Sequence, residues 1–256
     1  MSYKKILLSN DDGIHALGLQ VLEEALGGEY LVYTVAPEYE QSAKSQALSL
    51  HEPLRVKKYS ERRFSVTGTP TDSVYLGLHQ LVDEKPDLVV SGINHGPNLG
   101  TDILYSGTVG AAMEGAMNGI PSVAVSLCLP RPDASPISMK ESYVAAADTV
   151  VRILRNIGDE GIPCRSVLNV NIPHNFEPET GSFQVCPLGQ ETWKHSVFER
   201  KDPRGRPYYW IGGERQEGDS VEASDGCAIE NGVVAITPLH SDLTDYALCR
   251  KLSGNF

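Results

Sequence analysis

Short apolar runs, typical of buried strands, alternate with amphipathic helical patterns through most of the chain. The strand patterns lie at residues 6–8, 30–36, 87–91, 121–126 and 167–172. Between them apolar residues recur at helical spacing, most clearly from Ser142 to Ile157. Because strands joined by helices wind with right-handed crossovers, this alternation predicts an α/β fold with a doubly wound, mostly parallel, Rossmann-like sheet.

The pattern changes after about Pro178, where short β-like runs and charged turns replace the helices. The segment from Asp202 to Pro207 has the composition of a hairpin tip, and its flanks carry Trp193, Tyr208, Tyr209 and Trp210. A long hairpin with exposed aromatic residues usually needs a partner surface. We therefore predict a Rossmann-like catalytic core over residues 1–178, and a β-hairpin and C-terminal oligomerisation arm over residues 179–256. A solvent-facing extension of the same subunit is the alternative.

Composition excludes several classes of function. The net charge of -11 argues against binding of a nucleic-acid polymer. No apolar stretch approaches the roughly 20 residues of a membrane span, and the chain enters a strand too early for a signal peptide. The five cysteines are widely spaced, without a C-x-x-C pair, which argues against a disulfide framework and a zinc site. We expect a cytoplasmic protein with reduced thiols and no membrane contact.

Asp11 and Asp12 directly follow the first strand pattern and precede Gly13 and a helix. Ligands of open α/β sheets bind at the carboxyl ends of the strands. Two adjacent carboxylates there repel each other and need a cation, a shared proton or water. Their hard oxygen atoms suit magnesium, manganese or calcium. This segment predicts a divalent metal site, but a simple helix cap followed by a glycine turn explains the same residues equally well.

Further polar residues follow the next two strand patterns along the chain. Ser42 and Ser45 come after the second strand, and a Gly/Asn-rich segment that contains Gly92, Asn94 and Asn98 comes after the third. A doubly wound sheet brings the ends of these strands to one edge. We therefore expect these residues near the two aspartates, although each taken alone is an ordinary loop residue.

Ser106, Gly107 and Thr108 open a helix and place backbone N–H groups and two hydroxyls at its N-terminus. Such a helix end binds anions well. A metal site beside a phosphate cradle is the layout of a metal-dependent phosphohydrolase. Ser106 can equally act only as a helix cap. A dinucleotide fold is disfavoured, because Gly-x-Gly-x-x-Gly is missing after the first strand.

Four long motifs resemble the SurE (survival protein E) family of 5'/3'-nucleotidases, and the resemblance runs over nearly the whole chain. The motifs are Ile6–Ala16, Gly68–Asp72, Ser91–Asp102 with Tyr105–Val109, and Ile236–His240 with Asp242–Thr244. The resemblance implies a cytoplasmic, metal-dependent phosphatase that hydrolyses nucleoside 5'(3')-monophosphates. It also implies a swapped C-terminal arm, and hence a homodimer or homotetramer.

The resemblance also implies roles for individual residues. One divalent cation per subunit, Mg2+ or Mn2+, is expected on Asp11, Asp12, Ser42 and Asn94. Asp11 and Asp12 are the expected catalytic residues, since one of them orients or deprotonates the attacking water. The expected phosphate- and substrate-binding residues are Ser45, Gly92, Asn98, Ser106, Gly107 and Thr108.

The second loop departs from the family pattern. The family commonly has Arg-Ser-Gly-Ala-Ser where this chain has Gln41-Ser-Ala-Lys-Ser45. If the family glycine adopts a positive φ, Ala43 must strain or reshape the loop. Lys44 adds a cation that could reach a phosphate. The preferred substrate is therefore less securely implied than the reaction type.

Histidines near the expected site have several possible roles. His95 follows the expected ligand Asn94 and either supports the site, faces the substrate, protonates the leaving alkoxide or lies on the loop surface. We expect His15 to be packed at the start of the first helix. The competing functions are a nucleotide or phosphate sensor without turnover, a broad acid phosphatase or exopolyphosphatase, and a metal-dependent glycosyl- or nucleotidyltransferase.

Overall fold

The computed structural model describes residues 3–128, 138–157, 161–190, 193–215 and 221–254. The described strands are β1 Lys5–Ser9, β2 Leu31–Pro37, β3 Val56–Ser60, β4 Arg63–Val66, β5 Leu88–His95, β6 Ser122–Leu127, β7 Ser166–Ile172, β8 Phe183–Val185, β9 Trp193–Lys201, β10 Pro207–Arg215 and β11 Val234–His240. The described α-helices are α1 Leu17–Gly27, α2 Pro70–Leu76, α3 Gly107–Met117, α4 Met139–Ile157, α5 Asp225–Glu230 and α6 Tyr246–Leu252.

The main sheet has nine strands in the order β3-β4-β2-β1-β5-β6-β7-β11-β8. The pairs from β4 through β7 are parallel, whereas β3–β4 and β7–β11 are antiparallel. From β1 the chain winds outward first through β2 and then, in the opposite direction, through β5. The predicted doubly wound, mostly parallel fold is confirmed. The strand order therefore reverses at β1, and a ligand crevice is expected at the carboxyl end of this strand.

Alternation along β1 anchors the strand to both layers of helices. Ile6 and Leu8 are buried in one cluster with residues of α1 and α4. Leu7 is buried in a second cluster with residues of α2 and α3. Successive side chains of a strand point to opposite faces of the sheet, so an uninterrupted apolar run suits a strand that is covered on both sides. The residues that follow β1 consequently extend from a rigid support.

Two predicted boundaries differ from the structure. The sequence from Thr71 to Val82 predicts one helix, but in the structure α2 ends at Leu76 and is followed by a short π-helical segment, Gly77–Leu81. The loop predicted from residue 92 is wrong at its start, because β5 continues to His95 and pairs with β6 beyond a register shift. At Gly92 a Cβ would lie 2.5 Å from the Val125 carbonyl oxygen, and φ is +141°. This glycine allows a close approach between two strands rather than a loop.

Strands β9 and β10 form a separate two-stranded antiparallel sheet, as the hairpin pattern predicted. Phe198 pairs with Trp210, and Val197 pairs with Ile211. Two further strands after Pro178, β8 and β11, belong to the main sheet. Within the described residues, no helix is both long enough and apolar enough to cross a membrane.

Candidate active site

Asp11 lies directly after β1 and is only 4% exposed. Its Oδ1 atom accepts a hydrogen bond of 2.5 Å from the Thr108 hydroxyl at the start of α3. A Cβ added at Gly107 would lie 2.9 Å from both the Cβ and the Oδ2 of Asp11. The first turn of α3 therefore packs against this carboxylate, and the absence of a side chain at Gly107 makes that approach possible.

Asp12 is half-buried and faces the end of β5. Its Oδ2 atom accepts a hydrogen bond of 3.2 Å from the His95 backbone N–H. The two aspartates therefore contact different elements: Asp11 contacts α3, and Asp12 contacts β5.

Burial makes negative charge unfavourable at both aspartates. It raises the pKa of Asp11 to about 6; the nearby charge of Asp12 adds to this shift, and the hydrogen bond from Thr108 opposes it. Burial also raises the pKa of Asp12, the charge of Glu40 adds to it, and the hydrogen bond from His95 opposes it. A cation beside these groups would oppose both shifts, because it stabilises the charged carboxylates.

The segment that carries Ser42 is tied to Asp11 on one side and to the approach to α3 on the other. The Gln41 N–H donates to the Asp11 carbonyl oxygen at 2.7 Å. The Ser45 N–H donates to the Tyr105 carbonyl oxygen at 3.1 Å, and the Ser45 hydroxyl donates to the Leu104 carbonyl oxygen at 2.7 Å. Since the Ser45 hydroxyl gives its proton to the backbone, its observed role is to hold the loop.

The backbone of this loop is strained at the position where the sequence departs from the family pattern. Ala43 has a φ of +58° and Ser45 a φ of +54°. Residues other than glycine rarely adopt this left-handed conformation. The loop also packs on α3, because a Cβ at Gly110 would lie 2.5 Å from the Ser45 carbonyl oxygen. Ala43 thus adopts a conformation that glycine would adopt without strain.

Ser42 and Asn94, the other two expected metal ligands, each keep an oxygen atom available. The Ser42 hydroxyl donates to Glu40 Oε1 at 2.8 Å, which leaves lone pairs on its oxygen. Asn94 donates through Nδ2 to the Gly96 carbonyl oxygen at 2.9 Å, which leaves Oδ1 as its acceptor. Within the described ranges no three His, Cys, Asp or Glu residues group so as to hold a metal ion. Hydroxyl and amide oxygens would therefore have to complete a site built on Asp11 and Asp12.

The N-terminus of α3 combines a cap with exposed donors. Ser106 is the N-cap, and its oxygen accepts a hydrogen bond of 3.1 Å from the Val109 N–H. The N–H groups of Gly107 and Thr108 belong to the first turn, where a helix has no internal acceptors for them. The capping role that the sequence left open for Ser106 is thus present, and its hydroxyl proton can still be donated to a ligand.

Asn98 and Gly92 are buried and contact the neighbouring strands β6 and β7. Asn98 donates through Nδ2 to the Ser126 hydroxyl at 2.8 Å, and its carbonyl accepts hydrogen bonds from Asn169 and Asn171. Gly92 packs against Val125. These contacts fix the segment between β5 and α3, and direct contact of either residue with a substrate stays a prediction.

The structure adds Tyr143 to the site, a residue that no motif indicated. Its hydroxyl lies 3.1 Å from His95 Nδ1. Burial raises the pKa of Tyr143 to about 12, and the negative charge of Asp12 contributes. The expectation for His15 is wrong: its side chain is exposed and contacts Tyr59, because α1 begins at Leu17 and leaves His15 outside its first turn.

Fold and site together define a Rossmann-like α/β protein with paired carboxylates next to the N-terminus of a helix. The family model described as Survival protein SurE matches residues 6–195. The chain belongs to the SurE family, and the resemblance seen in its motifs is confirmed.

Relatives and a solved structure agree with this assignment over nearly the full chain. The chain is 47% identical to the protein named 5'-nucleotidase SurE from Geotalea uraniireducens, over 94% of this chain and 95% of the relative. It is 46% identical to the protein of the same name from Myxococcus xanthus, over 98% and 93%. The crystal structure of the SurE protein from Aquifex aeolicus matches with a TM-score of 0.83 and 40% identity, over 98% of this chain and 99% of that chain.

The raised pKa of Asp11 predicts a pH-dependent cost to stability. Because its pKa of about 6 in the fold lies above the ordinary value of 3.8, the free energy of unfolding falls as pH rises between these two values and stays low above them. Urea denaturation in a chelator should show Asp11→Asn about 1–3 kcal/mol more stable than the wild type near pH 8, with the gap closing toward pH 4.

Exposed Asp83 provides the matched control, since Asp83→Asn should leave the stability nearly unchanged. Mn2+ should then stabilise the wild type and not Asp11→Asn. A wild type that is more stable than Asp11→Asn at pH 8 without metal would contradict this view of the site.

Proposed function

We propose that this chain is a metal-dependent 5'-nucleotidase, which hydrolyses nucleoside 5'(3')-monophosphates to nucleoside and phosphate. Its relatives that are named 5'-nucleotidase SurE support this proposal. The observation that carries it is the hydrogen bond between Thr108 and Asp11. This bond supports the proposal because it joins a helix N-terminus, an element suited to anions, to one of two carboxylates that lack a cationic partner among the described residues.

The donor set fits a hard divalent cation, Mg2+ or Mn2+, with one ion per subunit. Asp11, Asp12, Ser42 and Asn94 would hold it through oxygen atoms. The raised pKa values of both aspartates support the fit, since a cation stabilises their charged forms. When bound, the ion supplies polarisation of a phosphate oxygen and lowers the pKa of water beside it.

The residues of this chain would bind the phosphate and activate the attacking water. The N–H groups of Gly107 and Thr108, with the Ser106 hydroxyl, bind the phosphate oxygens and stabilise their developing charge. Asp12 orients or deprotonates the attacking water. We assign this role to Asp12 because the Thr108 hydroxyl holds Asp11 and makes it the less mobile of the pair. Lys44 is exposed on the neighbouring loop and adds positive charge for an incoming phosphate.

Phosphate release tests this proposal directly. Purified protein is incubated with nucleoside 5'- and 3'-monophosphates in Mn2+, in Mg2+ or in a chelator. We expect release only with a metal, and a loss on the order of 100-fold or more in Asp12→Asn, because metal ions contribute several kcal/mol to such reactions. The control is again Asp83→Asn. Equal release in the chelator, or full activity of Asp12→Asn, would refute a metal-dependent mechanism at this site.

Ser106→Ala separates the two roles of the α3 N-cap. Losing the cap should cost about 1 kcal/mol of stability. Losing a hydrogen bond to a charged phosphate should also lower kcat/KM by roughly 10- to 100-fold. Ser224 caps α5 in the same way and is buried away from the aspartates. Ser224→Ala should therefore lower the melting temperature and leave kcat/KM unchanged. Equal kcat/KM values for Ser106→Ala and Ser224→Ala would show that Ser106 does not bind the phosphate.

We also propose that residues 1–178 form the catalytic core and that the segment 179–256 contributes the arm of a homodimer or homotetramer. Both faces of the β9–β10 hairpin are apolar and exposed: Trp210 is 64% exposed on one face, and Ile211 is 91% exposed on the other. An isolated two-stranded hairpin is marginally stable in water. A second copy of the chain that covers both faces would supply the missing support.

A double substitution on the hairpin tests this assembly. Trp210→Ser with Ile211→Ser removes apolar surface from both faces and should lower the mass measured by light scattering toward that of one chain. Arg204→Ser, at the exposed tip, is the matched control and should keep the wild-type mass. An unchanged mass in the double variant would show that the hairpin does not hold the oligomer together.

The proposed place of action is the cytoplasm. No disulfide joins the five cysteines, all of which lie in described parts of the chain. Reduced thiols fit a cytoplasmic protein.

A further inference from the structure

A chain of hydrogen bonds leads from helix α4 to the paired aspartates. Tyr143 is 5% exposed, and its hydroxyl lies 3.1 Å from His95 Nδ1. The His95 backbone N–H in turn donates to Asp12 Oδ2 at 3.2 Å. The His95 side chain itself is exposed at the edge of the site. One buried tyrosine thus fixes the ring of an exposed histidine that borders a proposed metal ligand.

The direction of the Tyr143–His95 bond follows from the protons available. Burial and the charge of Asp12 keep the phenol protonated, so Tyr143 has one proton to donate. Across the described parts of the chain, His95 Nδ1 is the polar atom within hydrogen-bond distance of this hydroxyl, and it can accept the proton. A buried hydroxyl is costly to leave unpaired. When Nδ1 accepts this bond, the ring proton lies on Nε2, which makes Nε2 a donor.

The position of His95 determines which part of a substrate this donor meets. The phosphate cradle belongs to α3, which packs on one face of the sheet with Leu7. Tyr143 packs on the opposite face with Leu8 and Ile93. A phosphomonoester with its phosphate at α3 directs its alcohol portion away from this helix. The ring of His95 lies on that side.

We propose that Tyr143 is a positioning residue, which holds the His95 ring so that its Nε2–H faces the alcohol portion of the substrate as a hydrogen-bond donor. The bond partner is an oxygen of the ester or of the sugar. This inference deepens the proposed function and rests on it. His95 then selects phosphomonoesters whose alcohol offers a hydrogen-bond acceptor and is a poor leaving group.

Nitrogen-15 NMR of the histidine rings tests the positioning step without any activity. The wild type, as the full chain, should show His95 with its proton on Nε2 and a bare Nδ1. Tyr143→Phe should convert this signal to a mixture of tautomers. Tyr3 supplies the matched control, because its hydroxyl also takes part in a buried hydrogen bond, which it accepts from the Ile162 N–H. Tyr3→Phe should leave the His95 signal unchanged.

Kinetics with two substrates test the consequence for catalysis. For a nucleoside monophosphate, Tyr143→Phe should lower kcat/KM by roughly 3- to 10-fold, the effect of one neutral hydrogen bond. The second substrate, p-nitrophenyl phosphate, lacks sugar hydroxyls, and its leaving group p-nitrophenolate departs without needing a proton. For this substrate kcat/KM should stay unchanged. His95→Gln should show the same selectivity, and adding Tyr143→Phe to it should cause no further loss.

The results separate this inference from the proposed function. Equal losses on both substrates, no loss on either, or additive losses in the double variant would overturn the inference. A wild type with mixed His95 tautomers, or a Tyr143→Phe variant with the wild-type tautomer, would overturn it as well. If no phosphomonoester is hydrolysed by the wild type, the proposed function fails, and the NMR result still decides whether Tyr143 positions His95.

Discussion

The contact between the first turn of α3 and the Asp11 carboxylate is the interaction on which the rest of the site depends. Thr108 donates to Asp11, and Gly107 lies too close to it to carry a side chain. This contact brings together the helix end that we propose to bind phosphate and a carboxylate that we propose to bind the metal. The strand that carries Asp11 is buried on both faces, so the carboxylate keeps its place relative to the helix.

The same contact explains why the neighbouring segments take unusual conformations. The loop that carries Ser42 must reach from Asp11 to the residues before Ser106, and it does so with positive φ angles at Ala43 and Ser45. Strain of this kind persists where the surrounding structure fixes the chain. Asp11 shows a comparable cost, since burial raises its pKa to about 6. These features lower the free energy of unfolding of the unliganded protein, and a bound cation would raise it again.

Much of the fold could be predicted from the sequence, because it depends on local patterns. The apolar run Ile6–Leu8 requires cover on both faces, and the helical spacing from Ser142 to Ile157 is unambiguous. Of the site, the aspartates after β1 and the helix start at Ser106 could also be located, since each follows a local signal. The SurE motifs then implied Ser42 and Asn94 as partners.

The remaining features depend on contacts between distant parts of the chain. The bond between Tyr143 and His95 joins residues of α4 and β5, and no local pattern marks Tyr143 as more than part of an apolar helix face. The extension of β5 to His95 depends on how closely Gly92 approaches Val125. His15 was misplaced because the start of α1 at Leu17 was not evident from the sequence. Such contacts are set by tertiary packing rather than by local propensity.

The central claim is that the aspartates after β1 bind a divalent cation beside the α3 phosphate cradle. Anomalous diffraction from crystals soaked in Mn2+ and phosphate tests it most directly. The account predicts one strong peak per subunit, about 2 Å from oxygen atoms of both Asp11 and Asp12, with phosphate density at the N–H groups of Gly107 and Thr108. A peak bound elsewhere, or no peak near these aspartates at saturating Mn2+, would contradict it.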